Sequence, residues 1–144
     1  MITVASVLSI KGRSVITVAP QRSLREAVEL LSARGIGAVV VTGSDGAVLG
    51  ILSERDIVRV LAAEGPRALD NTVARIMTTR VKTCVPDDTV DDVMDMMTMG
   101  RFRHVPVIEG SELVGIVSIG DVVKHRLAQI ENEHRELREY ISTA

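Results

Sequence analysis

The sequence has few of the residues on which several functional classes depend. Its single cysteine, Cys84, cannot form an internal disulfide, and this fits a reducing compartment. One phenylalanine, one tyrosine and no tryptophan argue against aromatic stacking surfaces for single-stranded nucleic acid. A net charge of −2 supplies no basic field for nucleic acid either. With one cysteine and three scattered histidines, we expect no metal site.

Long apolar runs are also missing. No stretch approaches the roughly 18 residues of a membrane span, and the start, MITVASVLSIKGRS, lacks the pattern of a signal peptide. We therefore expect a cytoplasmic protein. Hydrophobic residues still make up 46% of the 144 residues, which is enough for the core of one compact domain or two small packed ones.

The chain consists of two copies of one unit. Three pairs of segments match: GILSERDI (50–57) with GIVSIGDV (115–122), VITVAPQRSLREAVELL (15–31) with VKTCVPDDTVDDVMDMM (81–97), and TVASVLS (3–9) with TVARIMT (72–78). The offsets are 65, 66 and 69 residues, and short loop insertions account for the differences. We predict repeat 1 over residues 1–66, repeat 2 over 67–127 and a helical extension over 128–144.

Both copies predict the same order of elements. A short helix opens each copy near Thr3 or Thr72, and an extended segment follows at Val15–Val18 or Val81–Val85. Capping-box patterns then start a helix at Ser23 and at Thr89. Two strands around a glycine-containing turn and a final helix complete each copy. The β-α-β-β-α order predicts an α+β (mixed α/β) fold.

A long helix is predicted for residues 121–143. Leu127, Ile130, Leu137 and Ile141 fall on a short heptad seam that His134 interrupts. We expect this helix to pack across a dimer or along the neighbouring repeat. A solvent-exposed end is the alternative.

The segments Gly50–Asp56 and Gly115–Asp121 carry a family resemblance. Each reads glycine, an apolar residue, any residue, then S-x-x-D, between the last strand and the last helix. This arrangement resembles cystathionine-β-synthase-type (CBS) repeats, as do Val15–Pro20, Val81–Pro86 and the Arg103–Val107 segment. The resemblance covers residues 1 to about 127.

The resemblance implies a fold and a class of ligand. Two repeats pack as a pseudo-two-fold pair, and two pairs commonly form a disk-like homodimer. Clefts between the repeats bind adenosine-containing ligands such as AMP, ADP, ATP, NAD(H) or S-adenosylmethionine. The implied function is a stand-alone regulatory module for energy sensing. It would have no catalytic cofactor and would signal to an unknown effector protein in trans.

Site residues follow from the same resemblance. Asp56 and Asp121 hold ribose hydroxyls, and Ser53 and Ser118 lie near ribose or phosphate. The resemblance also implies that the base is bordered mainly by the backbone of Thr17, Gly37, Ala38, Thr83, Val105 and Pro106. The chemistry is sound, because a carboxylate can accept both hydroxyls of a ribose and a helix start favours phosphate.

Positive charge for a phosphate is unevenly distributed between the repeats. Arg55 stands in repeat 1, whereas Arg103 and His104 stand in repeat 2. Gly37 and Ala38 occupy the places that Arg103 and His104 take in the other copy. We therefore expect the two clefts to differ in affinity.

Simpler interpretations remain open at this point. Both Ser-x-x-Asp motifs fit capping boxes, so they can act as helix caps alone. Arg103 and His104 can be ordinary surface residues, and the whole chain can be a ligand-free dimerisation or adaptor module. An enzyme is not expected, because no nucleophile, base and oxyanion-stabilising group can be assembled. Nothing in the sequence activates the Cys84 thiol.

Overall fold

The computed structural model describes residues 1–143. Its helices are α1 (Val4–Lys11), α2 (Leu24–Arg34), α3 (Glu54–Glu64), α4 (Val73–Ile76), α5 (Val90–Gly100) and α6 (Ile119–Thr143), with a 3-10 helix at Gly65–Asp70. Its strands are β1 (Thr17–Val18), β2 (Ala38–Thr42), β3 (Val48–Ser53), β4 (His104–Glu109) and β5 (Glu112–Ser118). This order confirms the predicted mixed α and β fold with two repeats and a C-terminal helix.

Side-chain caps define the starts of three helices. The hydroxyls of Thr3, Ser23 and Thr89 accept the N–H of the residue three positions on, at 3.2, 3.1 and 3.1 Å. Each bond satisfies one of the backbone donors that a helix start leaves without an intrahelical partner. The predicted starts at these three residues are therefore confirmed.

The strands form two sheets. β1 pairs in parallel with β2, and β2 pairs antiparallel with β3, so that Ala38 lies opposite Ser53. β4 and β5 form a separate two-stranded sheet. The hairpin turns contain Gly46 and Gly110, which have φ values of 81° and 66° that favour glycine.

One predicted strand is wrong in extent. The segment Val81–Val85 forms only an isolated parallel bridge, between Cys84 and Val107. The reason is local, because the Asp88 carboxylate accepts the N–H of Val85 at 2.9 Å and the Asp88 N–H donates to the Val85 carbonyl at 3.0 Å. This turn takes the backbone N–H and carbonyl of Val85, so the pairing ends at Cys84.

The chain divides into two compact units. The α6 unit contains residues Met1–Arg13, Thr83–Val107 and Gly115 onward, and the α3 unit contains Ser14–Lys82 and Ile108–Val114. Each opening helix therefore belongs to the unit that holds the final helix of the other repeat: α1 lies with α6, and α4 with α3. No helix within residues 1–143 is both long and apolar enough to cross a membrane.

Aliphatic side chains fill both units, as the scarcity of aromatic residues predicts. In the α3 unit the core cluster is Val18, Leu24, Ala27, Leu31, Val39, Val41, Leu52, Ile57, Val60, Ala68 and Val73. In the α6 unit the buried side chains include Val4, Val7, Leu8, Val90, Val93, Met97, Val105, Val107, Val117 and Val122. Helices α2 and α5 supply three of these residues each.

Candidate functional site

The Ser53–Asp56 motif forms a complete capping box at the start of α3. Asp56 Oδ2 accepts the Ser53 N–H at 3.0 Å and the Ser53 hydroxyl at 3.1 Å. The Asp56 N–H donates back to Ser53 Oγ at 3.4 Å. Asp56 is buried, with 9% of its surface exposed. The carboxylate is therefore held in one orientation at the positive end of a helix.

The second oxygen of Asp56 contacts the segment after α4. The Thr78 hydroxyl donates to Asp56 Oδ1 at 3.2 Å, and the exposed Arg59 guanidinium lies 4.0 Å from the same oxygen. Thr78 is fixed by two backbone hydrogen bonds with Ile51, of 3.0 and 2.9 Å. Gly50 allows this approach, because a Cβ there would lie 2.7 Å from Met77 Sδ and 2.8 Å from the Thr78 carbonyl oxygen.

The residues predicted to border a base in repeat 1 lie near this box. Ala38 is paired with Ser53, and the Gly37 carbonyl accepts the N–H of Glu54, the first residue of α3, at 2.9 Å. Thr17 lies on β1, paired with Val40 of the neighbouring strand. Arg55 is an exposed residue in the first turn of α3. The structure therefore brings Gly37, Ala38 and Arg55 to the end of β3, whereas Thr17 lies on the far side of β2.

Repeat 2 builds the same box at the start of α6. Asp121 Oδ2 accepts the Ser118 N–H and the Ser118 hydroxyl, both at 2.9 Å, and the Asp121 N–H donates to Ser118 Oγ at 3.2 Å. The Arg103 carbonyl accepts the N–H of Ile119 at 2.8 Å, as the Gly37 carbonyl does with Glu54. Capping is thus an observed role of both motifs.

A lysine from the first helix contacts the second box. Lys11 Nζ donates to Asp121 Oδ2 at 2.6 Å and to the Ile116 carbonyl at 2.8 Å. Burial raises the pKa of Asp121, but the hydrogen bonds from Lys11 and from Ser118, together with the Lys11 charge, outweigh burial. The net effect lowers the pKa of the Asp121 carboxyl, so it is ionised at neutral pH.

The other repeat 2 candidates lie on or beside β4. The Cys84 N–H donates to the Pro106 carbonyl at 3.0 Å, which brings the exposed Thr83 next to that strand. Val105 is fully buried, so neither its side chain nor its backbone is exposed at the surface. His104 is half-buried at the start of β4, and Arg103 is exposed just before it.

Metal and thiol chemistry find little support in this arrangement. Within residues 1–143 no three histidine, cysteine or acidic side chains come together as metal ligands. Cys84 is 2% exposed, and burial, with a smaller effect from the Asp88 charge, raises the pKa of its thiol to about 12. A thiol in this state is protonated at neutral pH and does not act as a nucleophile.

Sequence reasoning missed Lys11 and Thr78. Lys11 is the last residue of α1 and Thr78 follows α4, and each reaches the acidic residue of the other repeat. The match between residues 3–9 and 72–78 was the available signal, since it showed that both copies open in the same way. It gave no indication of which box each opening segment would contact.

Comparisons with known proteins agree with this geometry. The family model described as the CBS domain matches residues 7–63 and 73–128. A mitochondrial CBS domain-containing protein of Arabidopsis thaliana is 34% identical over 142 residues, covering 93% of this chain and 67% of that protein. The crystal structure of a CBS-domain-containing protein from Agrobacterium tumefaciens is 52% identical, with a TM-score of 0.84, and covers 86% of this chain and 92% of that one.

Two further solved structures carry adenosine ligands. The CBS domain pair of protein MJ0100, in complex with 5′-methylthioadenosine and S-adenosyl-L-methionine, has a TM-score of 0.79 at 27% identity, covering 88% of this chain and 97% of that one. A CBS domain protein from Pyrobaculum aerophilum, complexed with AMP, has a TM-score of 0.74 at 28% identity, covering 83% and 89%. The repeated element order, the paired capping boxes and the family match together place this chain in the CBS-domain family, as a tandem pair.

Proposed function

We propose that this protein is a regulatory module that binds an adenosine-containing ligand and performs no catalysis of its own. The observation that carries the proposal is the pair of carboxylates at the starts of α3 and α6. Asp56 and Asp121 are each fixed by the N–H and hydroxyl of the preceding serine. A carboxylate held in this way is a preorganised acceptor for the two hydroxyls of a ribose.

The neighbouring groups suit the rest of such a ligand. Ser53 and Ser118 lie at helix starts, where backbone N–H groups favour a phosphate, Arg55 and Arg103 add positive charge, and His104 adds an imidazole N–H donor. Base contacts are assigned mainly to backbone, at Thr17, Gly37, Ala38, Thr83, Val105 and Pro106. AMP, bound by the P. aerophilum protein, and S-adenosylmethionine, bound by MJ0100, are the first ligands to consider. ADP, ATP and NAD(H) belong to the same chemical class.

The regulatory output follows from linkage. A ligand shifts a conformational equilibrium only as far as its affinities for the two states differ. We propose that ligand binding at the boxes changes the state that a separate effector protein recognises, which makes the module a sensor of nucleotide levels in the cytoplasm.

The direct test is thermal unfolding with AMP, ADP, ATP, NAD, NADH and S-adenosylmethionine. A ligand at ~100 times its Kd should stabilise the protein by about 2.7 kcal/mol. Asp56→Asn and Asp121→Asn should reduce this shift, and the larger reduction identifies the tighter site. If no ligand raises the midpoint, the ligand-free adaptor replaces the sensor.

Matched controls separate binding from capping. Ser23 and Thr89 cap α2 and α5 with the same hydrogen bond but lie at other helix starts. Ser23→Ala and Thr89→Ala should each cost about 1 kcal/mol of stability and leave the ligand-induced shift intact. Ser53→Ala and Ser118→Ala should lower both the stability and the ligand-induced shift. Equal ligand-induced shifts of the unfolding midpoint in all four variants would show that both boxes have a purely structural role.

We also propose that the protein forms a homodimer through the second half of α6. Residues 131–143 are all exposed, and Leu127, Leu137 and Ile141 are 56%, 58% and 65% exposed along one seam. Glu131 and Arg138 flank this seam one heptad apart. In an antiparallel pairing of two α6 helices, Glu131 of each copy faces Arg138 of the other, so a second copy complements the seam in both shape and charge.

Charge reversal tests this contact. Sedimentation equilibrium should show weaker association for Glu131→Arg and for Arg138→Glu, and recovery in the double variant, where the charges are exchanged. The control is Glu136→Arg, which changes the same charge outside these flanking positions. A monomeric wild type, or single variants that associate like the wild type, would exclude α6 as the dimer contact.

A further inference from the structure

The carboxylate that we propose for ribose binding in repeat 2 already forms an ion pair with an ammonium group. Lys11 Nζ lies 2.6 Å from Asp121 Oδ2, and the two side chains are 32% and 23% exposed. The contact joins residues 110 positions apart. A ribose whose two hydroxyls bind both oxygens of Asp121 must therefore share Oδ2 with Lys11 or displace it.

The packing of α1 holds Lys11 at this position. Val4, Val7 and Leu8 are buried, and a Cβ on Gly115 would lie 2.7 Å from Leu8 Cδ2, so α1 lies directly against β5. Lys11 is the last residue of α1, where a cation also suits the helix dipole. Its bond to the Ile116 carbonyl gives the ammonium a second anchor.

The repeat 1 box receives a different group from the opening segment. There a neutral hydroxyl, that of Thr78, contacts Asp56. Arg80 is the residue that matches Lys11 when residues 3–9 are aligned with 72–78, and it is exposed. Asp121 therefore has an ionic contact with the opening segment of repeat 1, whereas Asp56 has a neutral contact with the opening segment of repeat 2.

This ion pair favours one class of adenosine ligand. An uncharged nucleoside that takes Asp121 Oδ2 deprives Lys11 of its anion and offers no other. A 5′-phosphate supplies a new anion within reach of the flexible lysine stem, and charge-assisted hydrogen bonds are the stronger kind. A ligand with a positively charged sulfonium is repelled.

We infer that Lys11 makes the Asp121 site selective for 5′-phosphorylated adenosine ligands over uncharged or sulfonium-bearing ones. The inference rests on the proposed function, because it requires that Asp121 hold a ribose. Lys11 then acts as a specificity-determining residue, because its ammonium leaves the Asp121 carboxylate and binds the ligand phosphate instead.

Calorimetric titration with AMP, adenosine and S-adenosylmethionine tests this selectivity. In an Asp56→Asn background, which leaves the repeat 2 box intact, AMP should bind more tightly than the other two ligands. Lys11→Met should lower the ratio of AMP to adenosine affinity by about 10-fold or more, the loss expected for a hydrogen bond between charged groups. Lys11→Arg should keep most of the preference, and Lys11→Gln serves if the methionine variant is unstable.

The control is Arg80→Met, which removes the same charge from the equivalent position of repeat 2 and should leave the ratio unchanged. If Lys11→Met weakens the binding of AMP and of adenosine equally, the inference is wrong although ligand binding stands. The same holds if Arg80→Met lowers the ratio of AMP to adenosine affinity as much as Lys11→Met does. If the protein without any substitution binds none of the three ligands, the proposed function itself is wrong.

Discussion

The Thr78 hydroxyl donates a hydrogen bond of 3.2 Å to Asp56, and so ties the segment after α4 to the capping box of α3. Because Asp56 is buried, loss of the Thr78 hydroxyl leaves the Oδ1 atom of its carboxylate without that hydrogen-bond donor. Thr78→Val should lower the free energy of unfolding by about 1.5–3 kcal/mol in urea denaturation. Thr78→Ser keeps the hydroxyl and should cost under about 1 kcal/mol. Equal losses in the two variants would contradict a role for the hydrogen bond.

A side chain at the glycine that opens either motif should destabilise the protein. A Cβ at Gly50 meets Met77 Sδ and the Thr78 carbonyl oxygen, and one at Gly115 meets the Leu8 side chain, all within 2.9 Å. Gly50→Ala and Gly115→Ala should each cost about 1–3 kcal/mol, and Gly50→Ala more, since backbone cannot yield as a leucine can. Gly120→Ala is the control, because its nearest neighbour is 3.6 Å away and alanine favours the helix.

Acid should weaken the α6 unit through Asp121. Its pKa is lowered on folding, so its contribution to stability is present above the ordinary carboxyl pKa of about 3.9 and is lost as pH falls through the lower folded value. The free energy of unfolding should therefore fall more steeply below about pH 4 in the wild type than in Asp121→Asn. Lys11→Met should flatten the same curve, because the bond from Lys11 is the largest influence that lowers this pKa. Parallel curves would contradict this linkage.

The Cys84 thiol should be inert in the folded protein. It is buried, and its pKa is raised to about 12, so little thiolate exists at pH 8. Labelling with a disulfide reagent such as Ellman's reagent should proceed only as fast as the protein opens, and should become rapid in urea. Rapid labelling without denaturant would show that Cys84 is accessible in the native state.

Local features were predictable from the sequence, and long-range ones were not. The caps at Ser23 and Thr89 depend on residues three positions apart, so the pattern alone places two helices. The contact between Lys11 and Asp121 depends on how α1 packs, which no local pattern records. The segment Val81–Val85 was predicted to be extended, but only Cys84 forms a bridge, and the Asp88 turn ends the pairing there.

The composition of the α6 unit has a consequence for synthesis on the ribosome. Val4, Val7 and Leu8 are made well before the segments that complete their unit, which begin only at Thr83 and Gly115. At about 5–20 residues per second, α1 waits on the order of ten seconds for these segments. The α3 unit has nearly all of its residues by Lys82 and can form first. Helix α1 is thus made before the α3 unit, whereas the segments that belong with it in the α6 unit are made mostly after that unit.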